Sequence, residues 1–504
     1  MQPEYDIVIV GSGLGGLLCG AILSREGYRV CILEKNRQLG GCLQTFARDK
    51  VLFDSGVHYL GGLSAGQTLH QIFKYIGLID VLKLEQMDEA VFDRIVFLED
   101  GREYDLAQGY DRFIDTLAAA FPGERENITR YCDKVKEVCS RFPMYNLRIA
   151  DGFAEKGDVL EINTKTYIES VTANSRLREV LAGNNTLYAG EADKSPFYVH
   201  ALITNSYIES SWKCINGGSQ ITKHLAHVIR ANGGEIRNYT TVTRFVESEG
   251  RITHVDLSDG TIVTGKQFIS NLHPQQTLAM TDSTVLRPVY RKRIANLENS
   301  ISSFTLHLVM KKNSFPYYKH NYYIHAKDGV WGGIHCAEDQ WPQTCCMFFS
   351  ANTRSSEYAE GICVLTYMPL SEFDAWKDSF NTDAVPGDRG PGYEEFKAQK
   401  AERLISFIER WFPGIRDSIA SWYTSTPLTY RDYIGTTDGS MYGVAKDYKD
   451  PFSTFISPST RIKNLGLTGQ NLMLHGILGV SISALSTCGI FTDLEKLVEK
   501  IKHA

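Results

Sequence analysis

Three glycines and one acidic residue near the start of the chain have the spacing of a dinucleotide-binding turn. Gly11, Gly13 and Gly16 form the pattern G-x-G-x-x-G, and Glu34 follows them. In such a turn the first glycine permits the tight bend, the second lets the backbone approach a pyrophosphate, and the third lets the helix pack closely on the strand. An acid about twenty residues further on accepts hydrogen bonds from ribose hydroxyls. The spacing therefore predicts a bound dinucleotide, and the alternative is a plain glycine-rich turn.

The flanking residues predict the elements that would position this motif. Residues 5–10 form an apolar run rich in β-branched side chains, as in a buried parallel strand. Apolar residues within 17–22 recur at helical spacing, and Gly27 ends the predicted helix. A second strand is predicted over residues 29–33. The order of strand, turn, helix and strand places the first N–H groups of the helix where they can bind phosphates.

A second pair of glycines favours FAD over a nicotinamide cofactor. Gly40 and Gly41 follow Glu34 and Lys35 by a few residues. A flavin dinucleotide in an extended pose needs a second close approach of backbone near its phosphates, which adjacent glycines can supply. We therefore expect FAD as the cofactor. NAD(P)H stays open as a transient electron donor that would act from the substrate side of the flavin.

Length and composition limit the class of protein. The chain has 504 residues, a net charge of −6 and 43% hydrophobic residues, which predicts two domains in an ordinary globular protein without a basic surface for nucleic acid. Eleven scattered cysteines favour reduced thiols in a cytoplasmic compartment. The first strand begins too early to leave room for a signal peptide. The apolar stretch at 477–485 is too short to span a bilayer.

Two other patterns are weak candidates for chemistry. Residues 62–66 match G-x-S-x-G, the turn around a hydrolase nucleophile. Because the start of the chain already predicts a dinucleotide fold, we interpret them as a loop before a helix. His224 and His227 are three residues apart on a predicted helix over 220–232, but no acidic ligand recurs nearby. We interpret both as surface polar residues.

The middle of the chain predicts a second layer of structure. Residues 95–98 and 103–106 flank Asp100-Gly101, which indicates a hairpin. The apolar and aromatic stretch 197–203 either lines a cavity for an apolar substrate or belongs to the core. Later patterns predict a ribbon of three strands over residues 241–246, 252–257 and 261–263. They also predict a strand over 267–271 that returns to the main sheet, and a helix over 403–412.

Residues 53–59 read F-D-S-G-V-H-Y. Together with the glycine turn, Glu34 and the double glycine, this segment resembles the flavoprotein family of phytoene desaturases, carotenoid isomerases and retinol saturases. The resemblance implies that the segment passes beside the isoalloxazine ring. Val57-His58 stands where desaturases tend to carry Pro-Thr, so the chain is more similar to the retinol saturase branch. Cys42 stands where desaturases often carry Arg, so a cationic contact to the cofactor is missing.

The same resemblance extends to the C-terminal residues. Residues 464–471 and 475–481 read N-L-G-L-T-G-Q-N and H-G-I-L-G-V-S, which implies a strand, a loop and a helix whose N-terminus faces the flavin N1–C2=O edge. Such a helix dipole stabilises the anionic reduced ring. The family also implies that backbone at Val242 lies by the adenine. The predicted cofactor-binding residues are Gly11, Ser12, Gly13, Leu14, Gly15, Gly16, Glu34, Lys35, Gly40, Gly41, Cys42, His58, Val242, Gly469, Gln470, His475, Gly479 and Val480.

His58 and Tyr59 are the candidate catalytic residues. A histidine can donate or relay a proton near neutral pH, and the alternative is that His58 only packs against the flavin edge. His475 is likewise either a cofactor contact or a structural residue of its loop. No metal ligand set is expected.

These patterns predict an α/β fold: a discontinuous, Rossmann-like FAD-binding domain of residues 1–75, 211–275 and 455–504, with an inserted α+β substrate domain of residues 76–210 and 276–454. The resemblance implies an FAD-dependent oxidoreductase that acts on carbon–carbon double bonds of an isoprenoid or polyene lipid in the saturase direction, with peripheral membrane contact left open. The alternatives are a carotenoid desaturase or isomerase, an amine oxidase-type flavoenzyme, and a prenyl-lipid escort protein without activity.

Overall fold

The computed structural model describes residues 4–149, 157–436 and 438–504. The α-helices in these residues are α1 (Leu14–Arg25), α2 (Thr68–Tyr75), α3 (Tyr110–Ala120), α4 (Arg125–Ser140), α5 (Thr164–Val171), α6 (Ser175–Leu181), α7 (Phe197–Glu209), α8 (Ser219–Ala231), α9 (Pro274–Ala279), α10 (Pro288–Ala295), α11 (Pro391–Glu409), α12 (Ile415–Ser418), α13 (Pro427–Ile434), α14 (Pro451–Thr454), α15 (Gly476–Cys488) and α16 (Leu494–Lys502). Within this part of the chain, none of the helices is both long and apolar enough to cross a membrane.

The strands are β1 (Tyr5–Val10), β2 (Val30–Leu33), β3 (Thr45–Arg48), β4 (Val51–Asp54), β5 (Leu60–Gly61), β6 (Leu84–Gln86), β7 (Asp93–Phe97), β8 (Arg102–Leu106), β9 (Ser211–Cys214), β10 (Glu235–Arg237), β11 (Val242–Ser248), β12 (Arg251–Leu257), β13 (Ile262–Ser270), β14 (Ser303–Met310), β15 (Asn321–His325), β16 (Thr344–Phe349), β17 (Gly361–Tyr367), β18 (Ile419–Ser425) and β19 (Leu465–Leu467).

The first sheet holds the dinucleotide motif. Its order is β10-β2-β1-β13-β12-β11, and β19 pairs with β13. β10, β2, β1, β19 and the C-terminal half of β13 run parallel. Because the carboxyl ends of parallel strands share one edge, the turn after β1, the acid after β2 and the loop after β19 meet there. This sheet confirms the predicted Rossmann-like α/β fold.

Helices cover one face of this sheet. α1 packs against both α8 and α15, and 11 of its 12 residues are buried, from Leu14 to Ser24. A helix that is apolar on every side belongs in a core rather than at a surface. On the other side of the parallel strands, Val8 of β1 and Phe268 of β13 share a hydrophobic cluster with Phe245 of β11.

The second sheet forms a separate layer with the order β18-β14-β17-β16-β15-β7-β8. Its pairs are antiparallel except that β15 runs parallel to β7. One face packs on the helices from α3 to α7, and the other packs on α11. The two central strands β16 and β17 are buried along their whole length, as expected for a sheet covered on both faces.

Most local predictions match this architecture, and two need correction. The hairpin at Asp100 is formed by β7 and β8. The strands predicted at 261–263 and 267–271 are one strand, β13, which pairs with β12 at its start and with β1 at its end. The helix predicted over 403–412 begins at Pro391, because proline is favourable in the first turn of a helix even where it signals a loop elsewhere. The proposed domain boundaries stay predictions.

The stretch 197–203 divides between the two roles expected for it. It forms the first part of α7, where Phe197 and Tyr198 are fully buried in the core, whereas Leu202 and Ile203 line a cavity. His224 is half-buried and His227 is exposed on α8, and the described residues contain no cluster of side chains that could hold a metal ion.

A substitution at Gly16 tests the close contact between α1 and the end of the first strand. A Cβ at this position would lie 2.2 Å from the carbonyl oxygen of Gly11, whereas a Cβ at the exposed Gly392 of α11 would meet open space. We expect Gly16→Ala to destabilise the protein by about 1–3 kcal/mol through overpacking, and Gly392→Ala to stabilise it by about 0.5–1 kcal/mol. Denaturant midpoints measure both. Equal midpoints for the two variants would contradict the close contact.

Candidate functional site

One cavity of about 610 Å³ joins the edge of the first sheet to the second sheet. The motif residues after β1 and β2 line part of it, and side chains from α7, β15, β16 and β17 line another part. Ligand pockets commonly have volumes of about 300–1,000 Å³ and lie where domains or sheets meet. The dinucleotide motif and an apolar lining therefore share one space.

Glu34 organises the turn at the dinucleotide part of the cavity. Its Oε2 accepts hydrogen bonds from the Ser12 backbone N–H at 2.9 Å and from the Ser12 hydroxyl at 2.6 Å. Its Oε1 accepts from the Asn36 N–H at 2.8 Å. The carboxylate is only 6% exposed, but it faces the cavity. Glu34 can therefore hold the turn and still offer remaining lone pairs to ribose hydroxyls.

The glycines fit a ligand that must approach backbone closely. A Cβ on Gly13 would lie 2.7 Å from the Asn271 side-chain nitrogen, and one on Gly15 would lie 2.9 Å from the backbone of Gly469. Gly11 has a φ of +94°, which favours glycine. Gly40 forms an isolated parallel β-bridge with Gly13, so the double glycine lies directly beside the turn. A side chain at Gly13 or Gly15 would therefore collide with Asn271 or Gly469, at a turn that lines the cavity.

The N-terminus of α15 supplies the third wall. Residues 476–480, the first turn of this helix, line the cavity together with Gly469 and Gln470. The Gln470 amide donates to the Met441 carbonyl at 3.4 Å. A helix N-terminus presents the positive end of its dipole and free N–H groups. This wall can therefore stabilise a negative charge on a bound ring or phosphate.

His58 lies between the two parts of the cavity. Its ring stacks on Phe348 with centroids 4.3 Å apart and an interplanar angle of 2°. Burial lowers the pKa of His58 to about 4, with a smaller contribution from the positive charge of Lys213. The imidazole is therefore neutral at neutral pH, which suits packing against a flat ligand better than proton donation.

Tyr59 presents a hydroxyl at the cavity wall. Its ring stacks on Tyr207 with centroids 4.2 Å apart, and its hydroxyl lies 2.7 Å from the Tyr323 hydroxyl. It also donates to Asp93 Oδ2 at 3.0 Å. Burial raises the pKa of Tyr59 well above its usual value, so the hydroxyl keeps its proton through the physiological range.

His475 is held in place by a hydrogen bond and by ring stacking. Its Nε2 lies 2.8 Å from the Leu187 carbonyl oxygen, and its ring stacks on Tyr442 with centroids 4.2 Å apart. Burial lowers its pKa to about 4, so Nε2 donates from a neutral ring. This bond joins the start of α15 to the residues before α7.

The predicted site residues converge, with one exception. His58, Tyr59 and the predicted cofactor-binding residues line the same cavity, apart from Gly16. Gly16 lies under the turn, against the Gly11 carbonyl. Lys35 lines the cavity and also donates to the Asp432 carbonyl at 2.8 Å. Burial raises the pKa of the Cys42 thiol to about 11. The individual roles of these residues stay predictions.

Sequence reasoning missed the residues that complete the site. Asn271 follows β13 and touches the glycine turn. Its only signal was its place at the end of the strand predicted over 267–271. Other lining residues that were missed come from distant parts of the chain and share no motif; they include Tyr207, Tyr323, Cys346, Phe348, Leu365, Tyr430 and Tyr433.

Glu34 tests the dinucleotide part of the cavity. We expect Glu34→Ala to weaken FAD binding by about 10- to 100-fold, because a hydrogen bond to a charged group is worth about 1.5–3 kcal/mol. Glu34→Gln should lie between wild type and Glu34→Ala. Glu99→Ala, in an exposed turn, is the matched control and should bind as wild type does. Quenching of flavin fluorescence gives the dissociation constants, and equal constants for all four proteins would contradict this assignment.

Known proteins are similar to this chain in sequence over almost its whole length, and others are similar in fold. The family model of an NAD(P)-binding Rossmann-like domain matches residues 9–76. The all-trans-retinol 13,14-reductase of Danio rerio is 25% identical over 97% of this chain and 86% of its own. Prolycopene isomerase 1 of an Oncidium hybrid cultivar is 25% identical over 96% of this chain and 83% of its own. A putrescine oxidase variant, solved in a redesign of cofactor binding, has a TM-score of 0.66 at 13% identity and covers 97% of this chain and 98% of its own.

These relatives confirm the kind of protein that the motifs indicated. The relatives are enzymes, the comparisons support a flavin cofactor, and solved structures similar to this chain have the same α/β architecture. With the glycine turn, Glu34 and the C-terminal helix meeting in one cavity, the chain fits the flavoprotein family that includes the retinol saturases and the carotenoid isomerases.

Proposed function

We propose that this chain is an FAD-dependent oxidoreductase that reduces a carbon–carbon double bond of an apolar polyene, in the manner of a retinol saturase. The observation that carries the proposal is the continuity of the cavity from Glu34 to Phe348. A dinucleotide held at the glycine turn and an apolar molecule held at the second sheet would lie in one enclosed space. The proposal gains support from the similarity to all-trans-retinol 13,14-reductases over almost the whole chain.

The residues present fit FAD. The glycine turn offers close backbone approach, Glu34 offers a carboxylate for a ribose, and the start of α15 offers N–H groups. Val242 also lines the cavity, as an adenine contact would require. A bound, reduced flavin supplies the hydride equivalent for a carbon–carbon double bond. The protein supplies binding, orientation and a proton.

The second part of the cavity suits a neutral, apolar substrate. Leu202, Ile203, Phe348 and Leu365 line it together with aromatic rings. Among the described lining residues, the acidic and basic side chains other than histidine are Glu34 and Lys35, and both lie by the dinucleotide turn. A cationic amine would need a carboxylate or a similar partner once buried. This lining favours a polyene over an amine.

Tyr59 is the proposed acid. Tyr59 lines the cavity and its hydroxyl stays protonated through the physiological range, whereas the buried His58 ring has already lost the proton that an imidazolium would donate. Aromatic rings line this part of the cavity, and a protein hydroxyl beside them can supply the proton for the second carbon. NAD(P)H is the proposed transient donor of electrons, and contact with a membrane surface is the proposed route of an apolar substrate to the cavity.

A carotenoid isomerase is the second candidate, because the prolycopene isomerases are as similar in sequence as the reductases. The two reactions differ in redox balance. A reductase consumes the electrons of the reduced flavin, whereas an isomerase returns the flavin in its starting state.

Anaerobic reoxidation distinguishes the candidates. The FAD-loaded protein is reduced with dithionite and mixed in turn with all-trans-retinol and a poly-cis carotene, and a separate sample of the oxidised protein is mixed with putrescine. We expect all-trans-retinol to restore the visible flavin band while its own polyene absorbance falls, and putrescine to leave the oxidised enzyme unreduced. Isomerised product without reoxidation would identify an isomerase instead. A flavin that stays reduced and a polyene that stays unchanged in both mixtures would contradict the proposal.

A further inference from the structure

A buried carboxylate lies directly behind the wall of the cavity. Asp93, the first residue of β7, is 0% exposed. It reaches the cavity through Tyr59, whose hydroxyl lies 3.0 Å from Asp93 Oδ2 and 2.7 Å from the Tyr323 hydroxyl. Tyr59 and Tyr323 both line the cavity. Asp93, Tyr59 and Tyr323 therefore form one hydrogen-bonded cluster, two members of which line the cavity.

We propose that these three residues are a proton relay, in which Tyr59 protonates the substrate carbon and Asp93 replaces the proton on Tyr59. The relay rests on the proposed reduction of a polyene. Asp93 acts only through Tyr59, so it is a positioning and proton-supplying residue and not a catalytic one.

The other partners of Asp93 leave it able to hold a proton. The side-chain amide of Asn321 donates to Oδ1 at 3.0 Å, and that of Asn184 lies 3.4 Å from Oδ2. Both donors are neutral. Burial raises the pKa of Asp93 to about 7 despite these bonds, because a charged carboxylate is costly where water is excluded.

The groups that face Asp93 include one other that titrates near neutrality. Lys213 is also buried, and its Nζ donates to the Tyr318 and Phe349 carbonyls at 3.2 Å. Burial lowers the pKa of Lys213 to about 7. Burial raises the pKa of the Tyr207 hydroxyl and of the Cys346 thiol, so both stay neutral through the physiological range.

The charge of Asp93 decides where the Tyr59 proton points. An ionised Asp93 accepts the Tyr59 O–H and withdraws it from the cavity. A protonated Asp93 instead donates its own O–H to the Tyr59 oxygen, which leaves the Tyr59 proton for Tyr323 or the substrate. The Tyr323 hydroxyl, 2.7 Å away, holds that proton in the plane of the wall until a substrate is present.

The step balances with the reaction proposed above. A C–H bond forms at one carbon of the former double bond as the Tyr59 O–H bond breaks, and the hydride equivalent reaches the other carbon. The proton of Asp93 moves to the Tyr59 oxygen, which leaves a carboxylate. Solvent protonates Asp93 again once the product has left. The hydride equivalent, which is two electrons and one proton from the reduced flavin, and one further proton from water together complete the reduction.

The pH dependence of reoxidation tests the relay. Dithionite-reduced, FAD-loaded protein is mixed with all-trans-retinol from about pH 5 to about pH 9, a range that brackets both buried groups. In wild type we expect the rate to fall as the pH rises through the pKa of Asp93, near 7. Asp93→Asn should remove this fall and lower the rate at acidic pH by about 10²-fold, the usual worth of a positioned acid.

Two tyrosine variants separate the relay from packing. Tyr59→Phe keeps the ring that stacks on Tyr207 and should lose both the rate and the pH dependence. Tyr323→Phe removes the neighbouring hydroxyl but leaves the carboxylate, so the fall near pH 7 should persist. The substrate KM should change little in any variant, because the apolar lining is intact. If Asp93→Asn does not fold, Tyr59→Phe carries the test.

Thermal unfolding supplies a readout that does not depend on turnover. The folded state holds the Asp93 proton up to about pH 7, whereas an unfolded chain releases it near the ordinary value of 3.8. The folded state therefore loses stability as the pH rises from about 4 to 7, and this contribution is constant above that range. The Tm of wild type should fall relative to that of Asp93→Asn across this window.

Each outcome bears on a different claim. A wild type that reacts with all-trans-retinol while Asp93→Asn keeps the same pH profile overturns the relay alone. Equal pH dependence of Tm in wild type and Asp93→Asn also overturns it. A wild type that leaves all-trans-retinol unchanged overturns the proposed reduction, and the relay with it.

Discussion

The close approach of three chain segments at one edge of the first sheet is the constraint on which the site depends. The turn after β1, the residues after β13 and the loop after β19 come so near that a Cβ on Gly15 would lie 2.6 Å from Asn271 and 2.9 Å from Gly469. Parallel strands bring these segments together because their carboxyl ends share one edge. Glycine then removes the side chains that would fill the space. The result is a row of backbone N–H groups, which is what phosphates need.

The second sheet supplies apolar and aromatic side chains that line the cavity beside this edge. Its central strands are buried on both faces, and β15, β16 and β17 present Tyr323, Phe348 and Leu365 to the same cavity. Burying polar atoms beside such side chains costs free energy unless each atom is hydrogen-bonded. Asp93 meets this condition through Tyr59 and two amides. A satisfied buried carboxylate can then hold a proton where a flavin and an apolar substrate would meet.

The sequence was most informative where function requires a local pattern. Gly11, Gly13 and Glu34 lie close in sequence, so spacing alone predicted the turn that contains them. The C-terminal helix was predictable through family resemblance, since nothing in residues 475–481 alone specifies what the helix faces. In both cases one continuous segment contains the residues that allow the prediction, and the strand or helix beside that segment supports the same interpretation.

The polar network behind Tyr59 could not be predicted in the same way. Asp93 opens an ordinary strand, and its partners Asn321 and Asn184 are far away in sequence. Asn321 meets Asp93 because β7 pairs with β15 in parallel, a long-range register that no local pattern encodes, and Asn184 comes from the residues after α6. The start of α11 was missed for a different reason: the helix was predicted only over 403–412, although Pro391 is compatible with the first turn of a helix. Local sequence patterns therefore could not predict the long-range pairing of strands or the first residue of α11.

The most direct test of the central claim is an experimental structure of the protein with FAD bound. The account predicts the adenosine part beside Glu34 and Val242 and the isoalloxazine ring in the cavity, within reach of His58 and the start of α15. The apolar space toward Phe348 and Leu365 should stay open for a substrate. A flavin bound elsewhere, or a ring that fills the space beside Tyr59 and leaves no room for a polyene, would contradict the account.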